Sequence, residues 1–398
     1  MEIPAEKHSL TAQAPPLRTV GEHSNEVTPT RTVMAFATNG AGSNDERRLS
    51  ELLSKVGIEL FPFKRDFKFQ TFLRLLAEIR RRRPDLVVME GTGIGGGLAL
   101  ILTRLLFGTR YVVSSGDAVG PFLAASWPAF WPLFQAYERA LYRLSRGFIG
   151  WTPYLVGRAL TFGAPRGATA AGWAPFECTK ESLREMRARL RSDLSIPEHA
   201  LVVGIAGSLV WNKRYQYCYG WELLKALEIV ERRDLRVLIV GTGSGLEQLK
   251  RLVGKHDPCR VVFSGQVAPA EVWKYLAAMD LASLPQSVDQ VGSFRYTTKL
   301  SEYLAAQVPV VTGQIPMAYD LSGGWLWRLP GRAPWDPKYV GSLAALLSTL
   351  SFDDIALRQS RIPPASATFN RGDQVARVCD FLNEIIMEID LTARGESR

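Results

Sequence analysis

The sequence predicts an α/β protein built from two parallel sheets, each covered by helices on both faces. Apolar runs alternate with helices of ten to fifteen residues from position 32 onward, and the alternation restarts at position 200. A charged helix predicted at 179–193 separates the two series. Such alternation is typical of parallel sheets, and 398 residues are enough for two separate cores.

The first series is read from its apolar periodicity. Leucines at helical spacing predict a helix at 47–56, and Phe72, Leu75 and Ile79 mark the next one, which ends in four arginines before Pro84. Pro132 suits the first turn of a later helix. The predicted strands are 32–37, 85–90, 110–115 and 147–152, and the predicted helices end near positions 56, 83, 106 and 144.

The second series has the same pattern, and the chain ends in a strongly amphipathic helix predicted at 374–389. Its predicted strands are 200–209, 236–241, 260–265, 281–285 and 308–313, and its helices are 219–231, 245–253, 269–279 and 298–306. Residues 1–30 are polar, contain prolines and lack an apolar h-region, so we expect a disordered tail and not a signal peptide.

Composition narrows the class of protein. The net charge of +9 suits an anionic partner. Four scattered cysteines without a C-x-x-C pair predict unpaired thiols in a reducing compartment, which favours the cytoplasm. The four histidines show no metal-site spacing, so no bound metal is expected. Twenty uncharged residues at 118–137 could cross a bilayer by length, but Pro121, Pro128 and Pro132 would break a lone spanning helix.

A glycine-rich turn follows the strand at 85–90. Gly91, Gly93 and Gly96 fit G-x-G-x-x-G, the dinucleotide-binding fingerprint, which leaves an oxidoreductase or a nucleotide-sugar isomerase as an alternative. That motif usually opens its fold and has an acid about twenty residues on, whereas here a strand and two helices precede it and the nearest acid, Asp117, comes late. The favoured interpretation is a tight turn at the sheet edge, where Glu90 and its neighbour Thr92 reach a ligand.

A better candidate for a phosphate site begins the helix predicted at 298–306. Thr297 and Thr298 suit the N-cap, Lys299 lies in the first turn, and Arg295 is close by. Backbone N–H groups at a helix N-terminus favour an anion, and these side chains strengthen that preference. Glu302, one turn in, can accept hydrogen bonds from sugar hydroxyls.

Two segments also carry a family resemblance. "TTKLSEYLAAQVPVV" resembles the donor-binding segment of the GT-B glycosyltransferases, particularly the large retaining family 4. "VGIAGSLVWNKRYQYCYGWELLKALE" is similar to the start of that family's C-terminal domain, and Lys213 stands five residues past Ser208, as the family lysine stands past its arginine. The resemblance covers residues 32–390 and is strongest at 201–313.

The resemblance implies two Rossmann-like domains that face each other across a cleft. It implies a hexosyltransferase-like enzyme that moves a sugar from a UDP- or GDP-sugar co-substrate to a cell-envelope or lipid-linked saccharide, with retention of configuration. It also implies the domains: a tail at 1–30, an acceptor domain at 31–178, a linker at 179–199, a donor domain at 200–365, and at 366–398 a tail with a helix that returns to the acceptor domain.

The resemblance assigns roles to individual residues. Lys213 would neutralise the diphosphate, Glu302 would bind the ribose, and the backbone near Gln266 would hold the base. The candidate donor-binding residues are Gly40, Gly42, Gly207, Ser208, Lys213, Gln266, Val267, Arg295, Thr297, Thr298, Lys299 and Glu302. The candidate catalytic residues are Lys213, Glu302 and Asp117.

Three positions depart from the family pattern. Phe294 replaces a glutamate near the sugar, Ser208 replaces the arginine paired with the lysine, and Gly116, beside Asp117, lies where a histidine is common. Arg214 and Arg295 could supply the missing charge. A non-catalytic GT-B binding protein therefore stays open as an alternative.

Basic and aromatic residues cluster in the first half of the chain. Lys64, Arg65, Lys68 and the arginines at 80–83 lie near several aromatic side chains. A solvated face over an ordinary core would explain them, and so would a surface resting on an anionic membrane. The aromatic residues of the cluster are Phe61, Phe63, Phe67, Phe69, Phe122, Trp127, Phe130, Trp131 and Phe134. No nucleic-acid motif accompanies them, so nucleic acid is not an expected partner.

Overall fold

The computed structural model describes residues 32–254, 258–321 and 323–395, so the tail predicted at 1–30 lies outside the described residues. These residues form two six-stranded sheets in which all strand pairs are parallel. The fold class predicted from the sequence is confirmed.

The N-terminal sheet has the strand order β2-β1-β3-β4-β5-β6. Its strands are β1 (Val33–Ala37), β2 (Ile58–Leu60), β3 (Leu86–Glu90), β4 (Tyr111–Ser115), β5 (Gly147–Gly150) and β6 (Gly167–Thr169). The helices of this domain are α1 (Asn44–Leu52), α2 (Lys68–Arg82), α3 (Ile94–Phe107), α4 (Val119–Ser126), α5 (Trp131–Arg143) and α6 (Pro153–Thr161).

The C-terminal sheet has the order β12-β11-β10-β7-β8-β9. Its strands are β7 (Leu201–Ala206), β8 (Leu235–Val240), β9 (Val261–Gly265), β10 (Leu281–Leu284), β11 (Val310–Gly313) and β12 (Leu326–Leu329). The remaining helices are α7 (Lys180–Asp193), α8 (Trp221–Leu227), α9 (Leu246–Val253), α10 (Val272–Ala277), α11 (Thr298–Ala305), α12 (Pro316–Asp320), α13 (Pro337–Thr349), α14 (Phe352–Gln359), α15 (Ala365–Thr368) and α16 (Arg371–Gly395).

Both sheets reverse their strand order near the middle. The reversal lies between β1 and β3 in the N-terminal sheet and between β7 and β10 in the C-terminal sheet. In open α/β sheets ligands bind at such switch points, beyond the carboxyl ends of the strands. The loops that follow these four strands are therefore where a site is expected.

Two helices at the domain junctions are fixed by specific contacts. Asp280, at the start of β10, accepts hydrogen bonds from Arg187 (2.5 Å) and Arg191 (2.7 Å) of α7 and from the backbone N–H of Val202 (2.7 Å). This carboxylate holds α7 on the C-terminal domain. Helix α16 instead packs on the N-terminal sheet, where Val378 and Leu382 are fully buried.

Several predicted elements begin or end elsewhere. Helix α1 begins at Asn44, ahead of the predicted position 47, because the Ser43 hydroxyl caps it by accepting from the Glu46 N–H at 3.2 Å. The helix predicted at 269–279 is divided into a 3₁₀ turn and a short α-helix. Helices α12 to α15 and strand β12 had no strong periodic signal.

The proline-containing segment at 118–137 is not one helix. It forms α4, a 3₁₀ turn at Pro128–Phe130 and the start of α5. Within the described ranges no single helix is long and apolar enough to cross a membrane, and the only helix pair that passes jointly, α13 with α14, is bent by 104°.

Candidate active site

The donor side of the cleft is built where the loop after β7 meets the start of α11. A methyl group placed on Gly207 would lie 2.5 Å from Cε of Lys299, so the glycine lets the lysine side chain lie directly on this loop. The Lys299 ammonium is 4.3 Å from the centre of the Tyr219 ring. Ser208 and Thr298 are exposed beside them. The structure thus brings four predicted donor residues together.

The start of α11 differs from the predicted cap. Thr297 occupies the N-cap, but its buried hydroxyl does not cap the helix and has no hydrogen-bond partner in the part of the chain that the structure describes. Thr298 is already the first helical residue. The first backbone N–H groups of a helix have no partner within it. This N-terminus therefore combines available backbone donors with a nearby ammonium group.

Glu302 lies one turn further along α11. No hydrogen bond or ion pair to its carboxylate is found among the described residues, yet burial raises its pKa, and only the charge of Lys299 opposes this effect. A half-buried carboxylate that lacks a protein partner is placed to accept hydrogen bonds from a ligand.

The buried residue Glu222, at the start of α8, holds the loop after β7 in place. Its buried carboxylate accepts from the Tyr217 hydroxyl (3.0 Å), the Gly220 N–H (3.2 Å) and the Ser283 hydroxyl (2.9 Å). Burial raises the pKa of Glu222 to about 7, although these hydrogen bonds oppose the shift. The residue ties the loop to β10.

Lys213 lies on an exposed part of the same loop. An isolated antiparallel bridge between Asn212 and Tyr217 forms this part, and in the described chain the Lys213 ammonium has no hydrogen bond or ion pair. The neighbouring Arg214 donates to the Ala125 carbonyl of the N-terminal domain at 3.0 Å. Lys213 is thus on the predicted loop, and among the described residues its ammonium makes no hydrogen bond or ion pair with α11.

The remaining predicted donor residues lie on loops that follow β9 and β1. Gln266 is exposed and Val267 packs on the C-terminal core, directly after β9 and two strands from β7. Gly40 has φ +105°, which its left-handed turn after β1 requires. The Gly42 N–H already donates to the Glu46 carboxylate at 2.5 Å, so this donor is occupied in the structure.

Two predicted residues from opposite domains pair across the cleft. Nε of Arg295 donates to Oδ1 of Asp117 at 2.5 Å. Burial disfavours the charged guanidinium, but Asp117 outweighs this effect and the pKa of Arg295 is raised. The predicted donor-binding cation, Arg295, and the predicted catalytic carboxylate, Asp117, are therefore paired with each other in this structure.

The glycine fingerprint has a packing explanation. A methyl group on Gly96 would lie 2.8 Å from the Phe36 ring, and one on Gly97 would overlap the Tyr137 hydroxyl. Gly91 has φ +100° and closely approaches Thr38. These glycines let α3 pack tightly against β1 and α5, as the strand-to-helix interpretation predicts.

The expectation that Glu90 touches a ligand is wrong. Its carboxylate is buried and accepts from Arg48 (2.9 Å), Ser114 (2.7 Å) and the Trp151 indole (3.2 Å). Burial raises the pKa of Glu90 and lowers that of Arg48. Sequence reasoning missed this network because its members come from α1, β3, β4 and the loop after β5, which are far apart in the sequence.

Two of the departures from the family pattern have structural causes. A methyl group on Gly116 would lie 2.7 Å from the Trp151 ring, which leaves no room for a histidine. Phe294 packs against the N-terminal core, and its carbonyl accepts from the Thr152 hydroxyl at 2.8 Å. Ser208 is exposed, and the structure offers no comparable cause there.

The aromatic cluster divides into buried and exposed members. Phe61 and Phe63 are buried in the N-terminal core, so their assignment to a membrane surface is wrong. Phe69 and Trp127 are 73% and 62% exposed. They border an apolar groove of about 890 Å³ that reaches the loop after β1.

No group of three or more potential metal-binding side chains occurs within the ranges that the structure describes. Among the described residues, Cys178, Cys218 and Cys379 are free thiols.

Comparison with known proteins identifies the fold and matches one segment of the chain to a protein family. The fold is GT-B, and residues 200–326 match the family model of the group 1 glycosyl transferases. The predicted resemblance is confirmed for this segment of the C-terminal domain. Together the match and the fold support a nucleotide-sugar-dependent glycosyltransferase, and the comparison with curated protein sequences gives no match.

Solved structures share the fold at low identity. HepE from Anabaena in complex with UDP is 15% identical with a TM-score of 0.65, covering 89% of this chain and 100% of its own. HepE with UDP-glucose is 14% identical with a TM-score of 0.64, covering 89% and 99%. Sucrose-phosphate synthase from Thermosynechococcus elongatus is 15% identical with a TM-score of 0.65, covering 90% and 100%.

Proposed function

We propose that this protein transfers a sugar from a UDP- or GDP-sugar to a saccharide acceptor with retention of configuration. The observation that carries the proposal is the start of α11, where Lys299 lies on Gly207 and the half-buried Glu302 carboxylate has no hydrogen-bond or ion-pair partner among the described residues. A cation and helix N–H groups at one point stabilise the leaving diphosphate, and Glu302 accepts from the ribose hydroxyls. HepE, similar in fold, was solved with UDP and with UDP-glucose.

The other predicted residues complete the site in this proposal. Lys213, on its exposed loop, moves onto the diphosphate when the donor binds. Arg295 and Asp117 form an ion pair where the two domains face each other. In this proposal Arg295 neutralises the diphosphate of the donor and Asp117 contacts the reacting sugar. The backbone after β9, at Gln266 and Val267, holds the base.

We further propose a cell-envelope or lipid-linked acceptor in polysaccharide biosynthesis and a cytoplasmic protein bound peripherally to an anionic membrane. Four cysteines scattered along the sequence without a C-x-x-C pair suit a reducing compartment. Exposed apolar side chains concentrate on α2, α3 and the segment from α4 to α5. Glu78 pairs with Arg81 and Arg82, which leaves Arg80 and Arg83 as the more available cations at the end of α2.

A panel of nucleoside diphosphates tests the donor assignment. UDP or GDP should raise the melting temperature, whereas NAD(P) alone doing so would favour the oxidoreductase or isomerase alternative. Glu302→Ala should reduce transfer about tenfold to more than a hundredfold, the cost of about 1.5–3 kcal/mol from a lost charge-assisted hydrogen bond. Glu247→Ala, at an exposed position of the same domain, is the control. Unchanged transfer by Glu302→Ala would refute the site.

The non-catalytic alternative is favoured by Gly116, where the Trp151 ring leaves no room for a histidine, and by Phe294, which packs an apolar side chain against the N-terminal core where the family has a glutamate. Release of nucleoside diphosphate in the presence of a matched donor and acceptor would exclude it. Membrane binding is tested by co-sedimentation with anionic liposomes, which should weaken as salt rises. Equal pelleting with and without liposomes at low salt would contradict it.

A further inference from the structure

The apolar groove of the N-terminal domain is not explained by the donor chemistry. It lies between α2, α3 and the segment from α4 to α5, and its volume of about 890 Å³ is that of a ligand site. Its walls are almost entirely apolar, with Phe69, Leu98, Trp127 and Leu133 among the side chains that line it.

These groove residues are unusually exposed for their size. Trp127 and Leu133 are each 62% exposed, and Leu98 is 45% exposed. Large contiguous apolar surfaces on soluble proteins commonly mark binding sites, because leaving them in water is unfavourable. The groove is thus suited to an apolar ligand.

The groove reaches the switch-point loops at the carboxyl edge of the N-terminal sheet. Thr38 and Asn39, from the loop after β1, and Thr92 and Gly93, from the turn after β3, line its inner end. Helix α3 leads away from this edge of the sheet. Its exposed row begins with Ile94 and Leu98 in the groove and continues outward with Leu102 and Leu105.

Among the described residues, Arg65 is the one charged residue that lines the groove. It lies beside Gly40, where a methyl group would be 3.7 Å from Arg65 Cβ, and in the described chain it has no ion pair. A cation at the inner end of an apolar groove suits an amphiphile that carries an anionic group between its polar head and its hydrocarbon chain.

We propose that this groove binds the hydrocarbon chain of the acceptor, with the acceptor saccharide in the cleft and an anionic linkage, such as a phosphate, at Arg65. The identification of the ligand as the acceptor rests on the proposed function. Binding of a hydrocarbon chain in the groove does not depend on the donor chemistry, because it rests on the apolar lining and on Arg65.

Alkyl amphiphiles test the groove without knowledge of the natural acceptor. Octyl and dodecyl phosphate and maltoside are titrated below their critical micelle concentrations, with binding followed by calorimetry. Since each buried methylene strengthens binding about fourfold, the dodecyl compounds should bind more than tenfold tighter than the octyl compounds. Dodecyl maltoside brominated on its chain should quench Trp127 fluorescence, and Trp127→Phe should remove that quenching.

A matched pair of variants on α3 locates the chain. Leu98→Gln alters the groove, and Leu105→Gln alters an exposed leucine of the same helix outside its lining. Leu98→Gln should weaken dodecyl binding at least fivefold, whereas Leu105→Gln should leave it unchanged. Arg65→Gln should weaken dodecyl phosphate but not dodecyl maltoside. Circular dichroism melting shows that each variant is folded.

Several results would overturn the inference. These are binding independent of chain length, equal effects of the two leucine variants, or a dimer in light scattering that Leu98→Gln dissociates, which would assign the groove to a second copy. A melting shift with UDP is measured on the same samples. A UDP shift without alkyl binding refutes the groove alone, whereas alkyl binding without any nucleotide shift refutes its role as an acceptor site.

Discussion

The buried carboxyl of Glu222 should make the stability of the C-terminal domain depend on pH. Its pKa is about 7 in the folded protein, against an ordinary value of 4.5, so folding favours the protonated form. The stabilising contribution is complete below pH 4.5 and is lost as pH rises through about 7. Since one pKa unit corresponds to about 1.4 kcal/mol, roughly 2–3 kcal/mol should be lost between pH 5 and pH 8.

Glu222→Gln removes the titration while keeping the shape. Its amide oxygen can accept from Tyr217 and Gly220, and its amide nitrogen can donate to the Ser283 hydroxyl. Urea unfolding of both proteins at pH 5 and pH 8 gives the difference in free energy of unfolding at each pH. The variant should gain about 2–3 kcal/mol relative to the parent protein over this range, while Glu247→Gln should follow the parent. A difference that does not change with pH would refute the reasoning.

Three further sets of variants test contacts within the N-terminal domain and between the two domains. Gly97→Ala should lower the melting temperature because its methyl group overlaps the Tyr137 hydroxyl. Gly157→Ala, at a helical glycine in open space, should instead raise the free energy of unfolding by about 0.5–1 kcal/mol. Equal melting temperatures of the two variants would contradict this. Asp117→Asn should free Arg295 for the diphosphate and tighten UDP binding roughly five- to tenfold in calorimetry, and an unchanged Kd would show that the guanidinium does not meet the nucleotide. Phe294→Glu should cost about 1–3 kcal/mol in thermal unfolding by placing a carboxylate against the N-terminal core, and increased transfer would show instead that the side chain reaches the sugar.

Sequence patterns predicted the parts of this fold that depend on local periodicity. Strands β1 and β7 are continuous apolar runs, and β3 and β8 are apolar except for one charged residue each, because both faces of their sheets are covered. Helix α16 carries a regular apolar face. The loops that follow β7 and β10 meet because of strand order. A family resemblance could suggest that meeting, but the periodicity of the chain could not.

The interactions that sequence could not predict join residues distant in the chain. Arg48 and Glu90 are both charged and would ordinarily be placed on the surface, yet they pair in the core. The sequence alone suggests that Gly116 only lacks the histidine of the family pattern, whereas the structure shows the Trp151 ring packed against this glycine. The pairing of Asp117 with Arg295 likewise depends on how the domains face each other.

The anchoring of α7 and α16 to different domains has a mechanical consequence. Asp280 fixes α7 to the C-terminal domain, while α16 is fixed to the N-terminal sheet. A hinge rotation that opened or closed the cleft would therefore be concentrated in two short crossings of the backbone, at 170–179 and near Asn370. Substitutions at this double hinge could alter donor affinity by changing the preferred angle between the domains, without touching any group that binds the nucleotide.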